Sequence, residues 1–357
     1  MTIVSIVVLL FISGNFLTKA EATKNTPCSV GTTAASPVGV AADSSSNVWF
    51  NMLGATGGGS LVDTLEKMPS GNTNCNAIVK YSASSNVQST QQFLVYDPTN
   101  GNIAYTMKGS NTGSTPNTCI TGWKPATAQR LGALCLTNKG LDDVDVDPIN
   151  ANYVWASMYY AGQIIHYNEV AGTYDHIISL PTTYCPTGSS PHPEGVRVDS
   201  NGNVWVADEG CGAIDEYTTF GFWSSYQVIN NNLPWFVSID DPNQNLWLVS
   251  QFGGANHGGF MQSMDMGSGS FTTVPLPPGG AAINPLGIDV DSTNSRVAVS
   301  FSSNFVNIYN YGTQSWKCGT NGDAYALGTD PFGIRAVGTN SYYVALYGTS
   351  QLGSGSC

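Results

Sequence analysis

Charge is scarce in this 357-residue chain: 10% of the residues are charged, with 12 Lys and Arg against 24 Asp and Glu. The net charge of −12 argues against nucleic acid and anionic membranes as partners, because both are held by basic surfaces. Long apolar runs are also lacking. The N-terminal run Ile3 to Ile12 falls short of the roughly 20 apolar residues of a spanning helix, so no membrane span is expected. No C-x-x-C pair occurs, which makes disulfides a better reading of the cysteines than zinc. No N-x-S/T sequon occurs either, so no N-linked glycan is expected. Serine nucleophile elbow, phosphate loop, dinucleotide fingerprint and H-E-x-x-H are all missing, which removes the enzyme classes built on them. The acidic run "LDDVDVDP" has the alternation of a strand rather than the spacing of a calcium loop.

What is present begins with a leader. The apolar run is followed by a polar stretch ending in Ala20-Glu21-Ala22, the pattern of a secretory signal with its cleavage site. Residues 1–22 are therefore expected to be a signal peptide and 23–357 a single secreted, extracellular domain. Eight cysteines in an oxidising compartment imply a disulfide framework. Forty glycines and many small polar residues describe a turn-rich β protein.

The chain repeats. Copies read "PVGVAADSSSNVWF", "QQFLVYDPTNGNIAY", "LDDVDVDPINANYVW", "PEGVRVDSNGNVWV", "PWFVSIDDPNQNLWL", "PLGIDVDSTNSRVAV" and "PFGIRAVGTNSYYVA", anchored at Asp43, Asp97, Asp147, Asp199, Asp240, Asp291 and Val337. Each pairs a strand, an Asp-led turn and a second strand, which is a β-hairpin. Further strand-like runs separate the copies, so each unit is expected to be a four-stranded antiparallel sheet. Seven such units at a period near 49 residues predict an all-β, seven-bladed propeller. Too few residues follow Val337 to finish a blade, so the segment from Thr23 to Ser36 is expected to supply the outer strand and close the ring. A Cys28–Cys357 bond would then fasten the seam. Cys185 and Cys211 flank loops on one face of the fourth copy and are expected to pair. Cys119 and Cys135 lie in one long stretch between copies and form the next expected pair.

The P-x-G-[IV]-x-x-D-x-x-G-N-V-W units at Pro37–Phe50 and Pro193–Val206 resemble those of the streptogramin lyase (virginiamycin B lyase) family. They are also similar to NHL-repeat and gluconolactonase-like propellers. The resemblance implies a site at the funnel mouth, where magnesium and a His/Glu set open a cyclic depsipeptide by elimination. A family Glu-Pro-His-Gly segment corresponds here to His192-Pro193-Glu194-Gly195, with acid and imidazole exchanged.

Five positions ahead of each anchor the rim reads Val38, Gln92, Asp142, Glu194, Trp235, Leu286 and Phe332. Polarity is confined to one sector, which is the pattern of a ligand pocket with an apolar wall. His192, Asp208, Glu209 and His257 belong to loops of the same face. Glu194, Asp142 and Asp208 suit a hard divalent cation, magnesium or calcium. His192, Glu194 and His257 are the catalytic candidates, and Trp235 and Phe332 the ligand contacts. The anchor aspartates, and His166 and His176, read as structural. Asp145 with Arg197, and Asp289 with Arg335, are expected to form ion pairs between neighbouring blades.

Two functions remain open. One is a metal-assisted C–O lyase or lactone-directed enzyme acting on a small molecule at the funnel. The other is a non-catalytic extracellular propeller that binds a peptide, glycan or protein partner.

Overall fold

The computed structural model describes residues 23–24, 27–29, 36–53, 64–70, 78–82, 91–109, 118–250, 259–277, 284–318, 323–324, 331–337, 341–349 and 351–356. Seven antiparallel sheets follow one another along the chain. Their innermost strands are Ser36–Ala42, Gln91–Tyr96, Leu141–Val146, Pro193–Val198, Phe236–Asp240, Pro285–Asp291 and Pro331–Val337. These define blades one to seven of a propeller, as the repeat predicts. In the seventh blade the third strand, Gln351–Ser356, is flanked by Thr23–Lys24 and Cys28–Ser29, with Thr23 opposite Ser356 and Cys28 opposite Leu352. The helical segments among the described residues are single 3-10 turns, and none is long and apolar enough to cross a membrane. The leader, residues 1–22, lies outside the described residues.

The anchor residues build the inner hairpins as the sequence implies. Asp43 accepts from Ser45 N, Asn47 N, Asn47 Nδ2 and Trp49 Nε1, and Asp199 repeats the set with Asn201, Asn203 and Trp205. One carboxylate thus satisfies the turn and fixes a buried indole, which is why aspartate and tryptophan recur at this spacing.

The P-x-G element has a packing cause. A Cβ on Gly287 would collide with the carbonyl oxygen of Phe332, and one on Gly333 with that of Val38. Neighbouring blades approach by their backbones at these points, so glycine is required. Gly195 N donates to Trp235 O of the next blade at 2.9 Å.

The apolar residues do not form one central core. They divide into clusters between neighbouring blades, from Trp49, Leu65, Tyr105 and Met107 between blades one and two to Phe50, Met52 and Ala345 between one and seven. The inner ring is polar. Arg197 Nη1 meets Asp143 Oδ2 at 2.5 Å, while Asp145 accepts from Val198 N at 2.8 Å. The expected partner of Arg197 was Asp145. A β-bulge between Leu141 and Val144 breaks the two-residue alternation there and brings Asp143 to the guanidinium. Asp289 and Arg335 do pair, at 3.3 Å.

Cys119–Cys135 and Cys185–Cys211 are disulfides. The first joins opposed residues of two adjacent strands, Thr118–Lys124 and Gln129–Leu136, so it staples a hairpin rather than the inter-blade loop expected. Cys28 and Cys318 are also disulfide-bonded. Cys357 and Cys75 lie outside the described residues, as therefore does the expected Cys28–Cys357 pairing.

Candidate functional site

Three consecutive blades place the residue just after their second strand at the funnel mouth. Those strands are Ile103–Met107, Tyr153–Met158 and Val204–Asp208, and the residues that border or end them are Lys108, Tyr159 and Glu209. The three touch in blade order. Lys108 Nζ lies over the Tyr159 ring, 4.2 Å from its centroid, and Tyr159 Oη donates to Glu209 Oε2 at 3.1 Å. His192 stacks on Tyr159 from the blade-four loop, with ring centroids 4.8 Å apart.

The rim acids come together beneath this row. Lys108 Nζ pairs directly with Asp142 Oδ2 and lies 3.5 Å from Glu194 Oε2. Asp142 and Glu194 are both buried, and both carboxyl groups face the same ammonium. The main chain carrying them is fixed by the preceding blades: Thr106 Oγ1 donates to Asp142 O, and Ser157 Oγ to Glu194 O at 2.7 Å.

Electrostatics follow from this burial. Desolvation, reinforced by the negative charge of Asp142, pushes the Glu194 carboxyl well above its usual range and favours its protonated form. Desolvation opposes charge on Lys108, but attraction to Asp142 and Glu194 outweighs it and holds the ammonium above its ordinary value. Burial, then the charge of Glu209, raises the Tyr159 phenol and keeps it a donor. The mouth therefore contains two buried carboxyl groups, a cation held between them and an imidazole.

Across the funnel stands an aromatic wall. Phe93 packs against Phe236 at 5.0 Å and Phe332 at 5.9 Å, and Trp235 meets Phe332 edge-on at 5.8 Å. Trp235 and Phe332 thus adjoin one another. The channel below narrows to a cavity of about 70 Å³ lined by Arg197, Asp289 and Arg335, too small for a ligand of drug size.

Asp208 belongs to the scaffold. Its Oδ1 accepts from His192 N at 2.8 Å and Cys211 N at 3.3 Å, and the side chain is wholly buried. Burial raises its carboxyl to about 6 against those hydrogen bonds. It ties the His192 loop to the Cys185–Cys211 disulfide rather than joining Glu194 and Asp142. His257 lies outside the described residues.

Glu194, Asp142 and Asp208 do not gather into a three-ligand cluster among the described residues. Asp142 and Glu194 face the Lys108 ammonium, while Asp208 commits Oδ1 to backbone N–H groups and leaves its buried Oδ2 without a described partner. Cys185, Asp208 and Cys211 cluster within ligand distance, but both sulfurs are bonded in the disulfide and offer no thiolate.

Lys108 and Tyr159 were not among the sequence candidates. The signal was available in the register: Lys108, Tyr159 and Glu209 each stand five residues after the matched Ile103, Val154 and Val204.

No protein-family model matches the chain, and no curated protein matches it. Solved structures do. A streptogramin B lyase aligns with a TM-score of 0.70 at 15% identity, covering 92% of this chain and 96% of that one. A catalytically inactive virginiamycin B lyase variant from Staphylococcus aureus, solved with quinupristin, aligns with a TM-score of 0.71 at 14% identity over 94% of this chain and all of the other. The selenomethionine-substituted S. aureus enzyme gives 0.69 at 14%, covering 94% and 99%. The chain has the seven-bladed fold of these lyases. Identity this low carries the architecture and leaves the chemistry to the residues.

Proposed function

We propose that the protein is a secreted lyase-like propeller that opens a cyclic ester at the funnel mouth by C–O elimination. The observation that supports this reading is the Lys108 ammonium set against two buried carboxyl groups, Asp142 and Glu194. In the proposed reaction His192 takes a proton from the carbon next to the substrate carbonyl, and that electron pair becomes the new C=C bond. The neighbouring C–O ester bond breaks, and the departing carboxylate takes the Glu194 proton. Lys108 stabilises the enolate-like oxygen, a role in which fixed positive charge counts most in a dry site. In this reading the Lys108 ammonium supplies to Asp142 and Glu194 the positive charge that a divalent cation would otherwise bring. Trp235 and Phe332 hold the apolar part of the substrate.

The test is turnover of a panel of cyclic depsipeptides and simple lactones by the wild type and Glu194→Gln. Turnover by the wild type that falls at least about 100-fold in the variant, the scale of general acid catalysis, supports the proposal; equal turnover contradicts it. The aromatic wall favours a second reading, a non-catalytic binder of a peptide, glycan or protein partner. Saturable binding with no turnover by the wild type would select it.

A further inference from the structure

A second groove opens on the face formed by the Asp-led turns, away from the second-strand ends that carry Lys108 and Tyr159. It lies between blades three and four, encloses about 450 Å³ and is lined among others by Trp155, His166, Asp175, His176, Tyr217 and Thr219. That volume is within the ligand-site range of roughly 300–1,000 Å³.

The groove departs from the Asp–Trp pairing of blades one and four in a way that blade five shares, where Tyr311 Oη takes Asp240 Oδ2 at 2.5 Å and Trp247 Nε1 has no partner among the described residues. In blades one and four the anchor aspartate bonds the following indole, Asp43 to Trp49 Nε1 at 2.9 Å and Asp199 to Trp205 Nε1 at 3.2 Å. In blade three His166 Nε2 takes Asp147 Oδ2 instead, at 2.9 Å, while His166 Nδ1 meets Asp175 Oδ1 at 2.8 Å. The Trp155 N–H is left without a protein acceptor among the described residues.

The charges in the groove are mutually satisfied. His166 bridges two carboxylates and is stacked between Trp155 at 4.4 Å and Tyr153 at 4.5 Å. An anion would meet Asp147 and Asp175, and a cation would find its place between them filled by the imidazole. What remains are neutral hydrogen-bonding positions. Asp175 Oδ2 and His176 Nε2 stand 4.0 Å apart, too far for a direct bond and wide enough for a hydroxyl to bond both. The hairpin Thr218–Phe222 that forms one lip carries Phe220 and Phe222, 85% and 71% exposed. Free aromatic rings beside paired donors and acceptors match a ligand with an apolar face and a hydroxylated edge.

We infer that this groove is a binding site for neutral pyranosides, separate from the funnel mouth. The Trp155 N–H, Asp175 and His176 bond the hydroxyls, and Phe220 stacks on the ring face.

The experiment is calorimetric and fluorescence titration of the full chain with cellobiose, maltose and N,N′-diacetylchitobiose. At least one is expected to bind with a Kd of millimolar order or below and to change tryptophan emission. Asp175→Asn, His176→Ala and Phe220→Ala should each weaken it at least tenfold at unchanged Tm. These side chains are partly or largely exposed, so the three variants do not share one folding liability. Absence of binding by all three sugars at tens of millimolar overturns the inference. So does binding that survives all three substitutions, or tighter binding of a uronic-acid disaccharide than of the neutral ones.

Discussion

Lys108, from blade two, lies 3.5 Å from the carboxyl of Glu194 in blade four, spanning the acid and the phenol that blade three contributes. One ammonium thus serves two buried carboxyl groups, of which Glu194 is pushed above its usual range by burial and by the charge of Asp142. Breaking a buried pair from one side leaves its partner desolvated and uncompensated. Lys108→Met is therefore expected to lose about 3 kcal/mol at pH 7. The gap should narrow in acid, at about pH 3, because a protonated carboxyl no longer attracts the ammonium. Urea unfolding at the two pH values checks this; an equal loss at both would show that Lys108 contributes only its packing.

Glu194→Gln should preserve the fold. The sequence placed Glu194 on an open rim, whereas the side chain is buried, so tolerance cannot come from exposure. It comes from the raised carboxyl, which an amide imitates in shape and as a donor. A stability change within about 1 kcal/mol is expected by chemical denaturation. A loss above about 3 kcal/mol would mean that the carboxylate form holds the site together.

Asp215 gives the pH dependence its sign. It is buried in the third strand of blade four, its Oδ1 accepts from Ser225 Oγ at 2.5 Å and its Oδ2 has no partner. Burial raises the carboxyl from 3.8 to about 8. The unfolded chain ionises first, so this group's contribution is intact below about 4 and lost as pH climbs to about 8. Asp215→Asn should flatten the wild-type decline over that window by at least about 1.4 kcal/mol, one pKa unit's equivalent. An unchanged slope in a pH series of unfolding curves would show that Asp215 is ionised in the folded chain.

Magnesium or calcium at millimolar concentration is expected to leave Tm unchanged, and chelation likewise, because Lys108 holds the carboxylates a cation would require. A ligand specific to the folded state raises stability by RT ln(1 + [L]/Kd). A shift in Tm that disappears in Glu194→Gln would place a cation at Glu194.

Reading the sequence by its first strands made the architecture and two of the site acids legible. Pro193 and Gly195 recur because neighbouring backbones touch, and Asp142 and Glu194 stand out because four of the other five copies put apolar residues at that register. Lys108 and Tyr159 escaped because they follow second strands, where the copies were not aligned. Asp208 shares a face with the site, yet loop position alone does not reveal that its carboxylate turns inward to His192 N. Asp143 displaced Asp145 as the partner of Arg197 because a bulge cannot be counted from alternation.

The central claim is elimination without a resident metal, and quinupristin, the compound in one of the matching lyase structures, tests it most directly. Chelator-treated protein is incubated with quinupristin and the product is weighed by mass spectrometry. The account expects a linear product of unchanged mass, formed at full rate in chelator and lost in Glu194→Gln. A product heavier by one water, or turnover that returns only when magnesium is restored, would contradict it.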